Sequence, residues 1–331
     1  MAKRFMAFLA GGLLAAAAHA GYDEGIKAFE AKDYATALTE MRKGAQAKDP
    51  RAYLLLGVMS RDGLGMAADP QQSFVWFIEA TRSHVTAAYP RVAWALIQGS
   101  GIPRNPQHAL EFARFAARQG DAESLFLVYF ILNDNELAWR DEKGVADMAK
   151  YNRLAARPLQ ERKLDMEAYD SLYLAAEMKQ PMAVKMLASS LGGVLGDGNR
   201  ARMSRLIKAI PAPLNPGIAV FDQVSHAMDK TGRSYASPQL FADTLNSTTA
   251  TASARLCAGA RLVSMDILET PHDAVYLPSS LPGYEHAYLM SGHWREKWIF
   301  NGCGKTLALE VNFNADGLGG ATFSAGEIAG G

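Results

Sequence analysis

The sequence predicts an α+β protein in which an all-α helical-repeat solenoid is followed by a small antiparallel β-rich domain with one disulfide. Three observations lead to this prediction. Residues 63–80 are repeated at 99–116 with every landmark displaced by 36 positions, a period typical of stacked helix pairs. From about residue 254 the hydrophobic period changes from helical to alternating. The chain contains two cysteines, an even count that favours a disulfide.

The first twenty residues have the pattern of a cleaved export signal. Lys3 and Arg4 are basic, residues 5–18 are apolar, and a small-x-small motif ends at Ala20. A transmembrane anchor is the alternative, but the apolar run is shorter than the roughly 20 residues that cross a bilayer. We therefore expect cleavage between Ala20 and Gly21, a periplasmic or alternatively secreted mature protein, and no transmembrane segment after cleavage.

The remaining chain is predicted to form two domains. Glycine-rich and proline-rich stretches lie close together between about 192 and 217, and such stretches mark boundaries. We expect a helical repeat domain at 21–200 and a mixed helix and sheet domain at 201–331, after a signal peptide at 1–20.

The sequence of each repeat copy predicts two helices joined by a turn. Asp69-Pro70 and Asn105-Pro106 have the chemistry of a helix start, because the polar side chain caps the first-turn amides and proline lacks an amide that would be unpaired there. The glycines before them can adopt the positive φ values that end a helix. The repeat-defining residues are Gly63, Gly65, Asp69, Pro70, Trp76 and Ala80 in the first copy and Gly99, Gly101, Asn105, Pro106, Phe112 and Ala116 in the second.

The second helix of each copy carries small residues and one aromatic at fixed offsets, with weaker copies before and after. This pattern resembles the Sel1-like repeat, a relative of the tetratricopeptide repeat whose helix pairs stack into a solenoid. The likeness covers about residues 25–157 and is carried by "AYLLLGVMSRDGLGMAADPQQSFVWFIEAT" and "AYPRVAWALIQGSGIPRNPQHALEFARFAARQGDA". One departure is Pro90, which is expected to delay or kink its helix. The resemblance implies a surface for a protein or peptide partner.

The C-terminal part is predicted to contain a helix from about 215 to 230 and then a sheet. The expected strands are at about 261–269, 286–291, 294–300, 306–313 and 320–324. Asn301-Gly302 and Asp316-Gly317 are typical hairpin dipeptides. A bridge between Cys257 and Cys303 would tie the sheet to the preceding helix; a reactive thiol or a metal ligand is the alternative for either cysteine.

A weak alternative site lies at His293, Arg295 and Glu296. Strand alternation places His293 and Glu296 on opposite faces, so they make a poor acid–base pair. His286 and His293 with Glu285 lack a further candidate ligand for zinc, and His272-Asp273 reads as a loop. The sequence therefore predicts no catalytic residues, no cofactor and no metal.

The leading hypothesis is an exported, non-enzymatic scaffold or adaptor that binds a protein or peptide partner. A cell-envelope enzyme or small-ligand binder with its site in the C-terminal domain, and a periplasmic inhibitor or immunity protein against a secreted toxin, are the alternatives. Lysine and arginine total 34, as do aspartate and glutamate, so a nucleic-acid partner is not expected. Trp76 and Trp94 are interpreted as core residues. The candidate binding residues on helix surfaces are Gln71, Gln72, Arg114 and Arg118.

Overall fold

The computed structural model describes residues 21–133, 147–190, 197–211, 218–317 and 320–328. The predicted signal peptide, including Ala20, lies outside these residues. The chain divides into two compact units. We call the described residues up to Ile131 the helical unit and those from Leu132 onward the mixed unit. The predicted domain boundary near 200 stays a prediction. Within the described residues, no helix has both the length and the apolar character needed to span a bilayer.

The helical unit is built from consecutive antiparallel helix pairs. Asp69 accepts a hydrogen bond from the backbone N–H of Gln72 at 2.9 Å, and Asn105 accepts one from that of His108 at 3.0 Å, so both predicted caps are confirmed. The helices are α1 (residues 21–30), α2 (Tyr34–Gln46), α3 (Pro50–Asp62), α4 (Pro70–Arg82), α5 (Tyr89–Gln98), α6 (Pro106–Ala117) and α7 (Ala122–Asn133).

Pro90 shortens the first helix of the second copy, as expected. α3 begins at Pro50, and the position 36 residues later is Thr86, where the chain forms a 3₁₀ turn instead of an α-helix. α5 starts at Tyr89, which places Pro90 in its first turn, where the missing amide costs nothing.

The second glycine of each pair marks a close contact between neighbouring copies. Gly65 and Gly101 have φ values of 75° and 76°. A Cβ atom on Gly65 would lie 2.5 Å from the carbonyl oxygen of Tyr34, and one on Gly101 would lie 2.4 Å from the backbone nitrogen of Gln71. Tyr34 and Gln71 lie in the first turns of α2 and α4. The turn of one copy therefore rests against the helix start of the preceding copy, and this contact repeats with the sequence.

The helix pairs α3–α4 and α5–α6 fill the space between their helices with different combinations of large and small residues. In the first pair, a Cβ atom on Gly57 would lie 2.4 Å from the ring of Phe77, and Phe77 is 2% exposed. The equivalent positions of the second pair hold Ala93 and Ala113, both fully buried. The first pair thus combines a glycine with the large Phe77, and the second pair has two alanines at the equivalent positions.

This compensation predicts a coupled effect of two substitutions. Gly57→Ala is expected to lower the free energy of unfolding by about 1–3 kcal/mol, because the new methyl group overpacks against Phe77. In a Phe77→Ala background the same change should be neutral or stabilising, since the pair then matches that of the second copy. Urea denaturation of the four proteins measures this coupling. Equal costs of Gly57→Ala in both backgrounds would contradict it.

The mixed unit combines six helices with a four-stranded antiparallel sheet in the order β1-β2-β3-β4. Its helices are α8 (Met148–Ala155), α9 (Lys163–Glu177), α10 (Pro181–Ser190), α11 (Asp197–Lys208), α12 (Ile218–Thr231) and α13 (Pro238–Arg255), and its strands are β1 (Arg261–Tyr276), β2 (Leu289–Gly302), β3 (Lys305–Ala315) and β4 (Ala321–Glu327). The predicted helix at 215–230 corresponds to α12, and its first residues lie outside the described ones.

The predicted division into five strands is wrong. The sequence predicts separate strands at 286–291 and 294–300, but 289–291 and all of 294–300 belong to β2, and 286–288 lie before its start. The interruption at Gly292 is not a turn: its φ is 129°, and an added Cβ would lie 2.9 Å from the carbonyl oxygen of His272. Glycine here allows two strands to approach closely.

The first strand and the first hairpin also differ from the prediction. β1 continues through His272 and Asp273, where a loop was expected, because register shifts accommodate the irregular backbone at Asp273, whose φ is 50°. Asn301 and Gly302 are the end of β2. The two-residue turn is formed by Cys303 and Gly304, with φ values of 50° and 73°, as type I′ hairpins require.

One face of the sheet packs on α13 and forms the core of the mixed unit. Its fully buried members are Trp294, Trp298, Phe300, Leu309, Val311 and Phe313, and Leu240, Phe241 and Ala252 of α13 belong to the same cluster. The disulfide between Cys257 and Cys303 is present, so that predicted pairing is confirmed. It links the segment after α13 to the tip of the β2–β3 hairpin.

The segment between β1 and β2 is held on α9. Asp170 accepts hydrogen bonds from the hydroxyls of Ser279 and Ser280 at 2.6 and 2.5 Å. Tyr284 stacks on Tyr173 with ring centroids 4.3 Å apart, and burial raises the pKa of the Tyr284 hydroxyl. These contacts join the helices upstream of the sheet to the sheet itself.

Candidate functional site

A groove with a volume of about 370 Å³ lies among α3, α4 and α5 of the helical unit. This volume is near the lower end of the range of ligand sites, roughly 300–1,000 Å³. The side chains that give the groove its character are Arg61, Pro70, Phe77, Arg91, Trp94 and Gln98.

One face of α5 supplies three chemically different side chains to the groove. Arg91, Trp94 and Gln98 are spaced by three and four residues, so they follow one another along the same helix face. They provide a cation, an aromatic surface and an amide that can both donate and accept hydrogen bonds. This combination can bind a polar, charged group together with an apolar one.

Trp94 is held in a fixed orientation. Its indole N–H donates a hydrogen bond to Oε1 of Glu123 at 2.9 Å, and its ring lies 5.4 Å from that of Phe130. Trp94 is half-buried and lines the groove, so its interpretation as a core residue was incomplete. Trp76, by contrast, stacks on Tyr53 with ring centroids 6.0 Å apart and does not line the groove.

The two arginines of the groove differ in their partners. Arg61 forms a two-point ion pair with Asp62, at 2.7 and 2.8 Å. That hydrogen-bonded guanidinium holds the pKa of the Asp62 carboxyl below its usual range, and the charge of Arg91 acts in the same direction. Arg91 forms no hydrogen bond or ion pair with another described residue, although its charge acts on the Asp62 carboxyl. Arg91 is therefore the cation of the groove lining that has no hydrogen-bonded carboxylate partner among the described residues.

Two of the residues that line the groove, Ser73 and Phe77, are almost fully buried. Phe77 is 2% exposed and Ser73 is 3% exposed. The Ser73 hydroxyl donates to the carbonyl oxygen of Gly57 at 2.7 Å, so its donor is already used within the fold. Hydrogen bonds and ion pairs to a ligand would therefore come from Arg91 and Gln98, which are accessible at the edge of the groove.

Most of the named groove residues occupy positions at which the two repeat copies differ, and the exception is Pro70, which agrees with Pro106. Counting back 36 residues, Arg91 corresponds to Leu55 and Trp94 to Val58, whereas the capping and glycine positions agree. The side chains Gln71, Gln72, Arg114 and Arg118, which the sequence suggested for binding, are not among the lining residues. This contrast between the two copies is the sequence signal that could have identified the groove. The capping and glycine residues agree between the copies, whereas Arg91 and Trp94 differ from their counterparts.

The structure does not assemble the alternative site suggested in β2. His293 is exposed and Glu296 is fully buried on the opposite face. Arg295 lies on the exposed face, where it pairs with Glu269 and Glu310. His272, across from His293 in β1, is 2.9 Å from Glu269. Within the described part of the chain, no three histidine, cysteine or acidic side chains are arranged to hold a metal ion.

Glu296 instead organises the interior of the mixed unit. Its Oε1 accepts hydrogen bonds from the Ser234 hydroxyl at 2.9 Å, the Tyr235 backbone N–H at 2.8 Å and the Trp294 indole at 3.0 Å. Its Oε2 accepts one from the Trp298 indole at 2.9 Å. Burial raises the pKa of Glu296, and these donors oppose that effect. The carboxylate joins the α12–α13 connection to β2.

The fold of the helical unit defines a helical-repeat protein of stacked antiparallel helix pairs, with a groove between neighbouring pairs. The Sel1 repeat family matches residues 50–83 and 87–121. Residues 50–83 and 87–121 are therefore two Sel1-like repeats, in agreement with the sequence resemblance. The two matched copies include every residue of the groove, because α3, α4 and α5 fall within them.

The chain is similar to solved structures of other Sel1-type repeat proteins. A Sel1 repeat protein from Oxalobacter formigenes is 20% identical over 56% of this chain and 67% of that chain, with a TM-score of 0.42. A protective antigen of uropathogenic Escherichia coli strains with an SLR fold is 17% identical, with a TM-score of 0.40. The latter comparison covers 73% of this chain and 58% of the antigen. None of the curated proteins matches the sequence.

Proposed function

We propose that the protein is an exported, non-enzymatic scaffold of the cell envelope that binds a protein partner through the groove of its Sel1 repeats. The observation that carries this proposal is the groove itself, in which an unpaired guanidinium lies beside an immobilised indole. Preformed sites that combine a few polar groups with apolar surface are typical of binding. Repeat scaffolds of stacked helices generally present such surfaces.

The arrangement in β2 supports binding over catalysis. An acid–base mechanism would need His293 and Glu296 within reach of one substrate. These residues lie on opposite faces of the strand, and both oxygens of Glu296 already accept hydrogen bonds from the protein. We therefore assign the proposed function to the groove of the helical unit and not to β2.

Export is supported by the disulfide and by the leader-like pattern of residues 1–20. Disulfides persist in oxidising compartments such as the periplasm, and Cys257 and Cys303 are joined. Expressed with residues 1–20 in a Gram-negative host, the protein should be recovered from the periplasm with Gly21 as its first residue. Its cysteines should react with a maleimide only after reduction. Retention in the cytoplasm with residues 1–20 attached would contradict export.

Partner binding can be tested in the cell with a photo-crosslinking amino acid at Gln98, which is exposed at the groove. We expect irradiation to give a discrete adduct with one protein. The matched control places the same amino acid at Arg42, an exposed position of α2 outside the groove, and should not give that adduct. No protein adduct from position 98, or the same adduct from both positions, would contradict the proposed function.

A further inference from the structure

We propose that the groove recognises an acidic segment of its protein partner, in which a carboxylate binds Arg91 and a neighbouring apolar side chain packs on Trp94. This inference rests on the proposed function and specifies the chemistry of the bound segment. It follows from three features of the groove, which are the Arg91 guanidinium without a hydrogen-bonded partner, the fixed aromatic surface of Trp94 and the size of the groove.

The charge of the groove fits a single carboxylate. Arg61 and Asp62 pair with each other, and Arg91, whose charge also acts on Asp62, is the groove guanidinium without a hydrogen bond to another described residue. A guanidinium is planar and can bind both oxygens of a carboxylate at once. A phosphate dianion would bring a second negative charge close to Asp62, which like-charge repulsion disfavours. A monoanion therefore matches the groove better.

The aromatic surface is ready for contact before a partner binds. Glu123 and Phe130 hold the Trp94 ring, so little side-chain entropy remains to be lost when a ligand packs on it. Phe77 and Pro70 also line the groove. Trp94 and Arg91 are three residues apart on α5, so the apolar residue of the partner should lie next to the acidic one.

The size and charge of the groove favour a short protein segment over a nucleic acid. A volume of about 370 Å³ admits a few side chains. Gln98 at the rim can bond to the N–H or C=O groups of an extended backbone. Nucleic-acid binding draws its affinity from many phosphate contacts along a basic surface, whereas this groove has one unpaired cation and the whole chain has a formal net charge of zero.

The test uses the full mature chain with its disulfide and a displayed library of random dodecapeptides. Selected peptides should carry an aspartate, a glutamate or a free C-terminal carboxylate beside an apolar residue. In fluorescence anisotropy, replacing that carboxylate by the amide should weaken binding at least tenfold, and Arg91→Ala and Arg91→Glu should do the same. Added salt should weaken the complex, since the contact is electrostatic and partly exposed.

Control variants separate recognition from folding. Arg91 has no bonded partner within the described chain, so its variants should keep the circular dichroism spectrum and melting temperature of the wild type. Arg42→Glu makes the same charge change on an exposed position of α2 and should alter affinity less than twofold. Trp94→Phe should weaken binding through loss of apolar contact, while the preference for the carboxylate over the amide is retained.

Several outcomes would overturn the inference. These are no enrichment of any peptide, selected peptides without a carboxylate, unchanged affinity in Arg91→Glu, or equal competition by a dodecathymidine oligonucleotide. If the protein adduct at position 98 forms equally in Arg91→Glu cells, the partner occupies the groove by other chemistry, and the proposed function survives without this inference. If the adduct is absent in the wild type, the function itself fails.

Discussion

Replacing Glu296 with leucine is expected to lower the free energy of unfolding by about 4 kcal/mol at neutral pH. Leucine nearly conserves the volume but leaves Ser234, Tyr235, Trp294 and Trp298 without their shared acceptor. A buried donor that loses its partner costs about 1–3 kcal/mol. Removal of a buried negative charge offsets part of this sum, because burial already disfavours the ionised form of Glu296. Guanidinium denaturation followed by tryptophan fluorescence measures the change.

Two further variants make the result specific. Glu310→Leu changes the same side chain on the exposed face of β3, where Glu310 pairs with Arg295, and should cost less than about 1 kcal/mol. Glu296→Gln retains one acceptor oxygen and should fall between wild type and Glu296→Leu. If Glu296→Leu costs no more than Glu310→Leu, the four hydrogen bonds do not stabilise the mixed unit in the manner described.

The features that the sequence predicted correctly depend on local chemistry. The helix caps at Asp69 and Asn105 act on amides three residues away. The paired glycines act on their own backbone angles. The strand at 306–313 is visible because its alternation persists without interruption. In each case the physical cause lies within a few residues, so one sequence is sufficient to identify it.

The role of Glu296 was not predictable in this way. Alternation correctly placed it on the face shared with Trp294 and Trp298, where an isolated buried carboxylate would be costly. Its remaining partners, Ser234 and Tyr235, lie about sixty residues earlier in the chain. Nothing in the local pattern indicates that contact, so the residue was considered as a weak catalytic candidate. Similarly, β1 continues past Pro271 because pairing with β2 outweighs the local turn signal.

The sequence predicts the helix face on which individual groove residues lie, but it does not predict that they form a groove together. The spacing of Arg91 and Trp94 places both on one helix face, but the sequence predicts a core position for Trp94 because an aromatic residue in a helical repeat is usually buried. The orientation of the Trp94 ring depends on Glu123 in α7. The groove beside the ring depends on how α3 and α4 pack against α5. Repeat comparison identifies the scaffold positions by their agreement, and Arg91 and Trp94 are found among the positions that disagree.

Gly101→Ala is expected to lower the free energy of unfolding by about 3 kcal/mol, because two separate penalties act at this position. The first is the backbone angle, since a φ of 76° costs a residue with a side chain of order 1–3 kcal/mol. The second is steric, since the new Cβ would lie 2.4 Å from the nitrogen of Gln71 and 2.6 Å from the carbonyl carbon of Pro70. Both atoms belong to the backbone of α4, so they cannot move aside as a flexible side chain would.

Gly120→Ala provides the matched control because it carries the first penalty without the second. Gly120 has a φ of 81° and no atom within 4 Å of an added Cβ. The difference between the two variants in urea denaturation therefore measures the contact between the turn of the second copy and the start of α4. If the contact between copies holds the solenoid together, Gly101→Ala must cost clearly more than Gly120→Ala. Equal costs would mean that both glycines serve only the turn, and that neighbouring copies are held together by their helix faces alone.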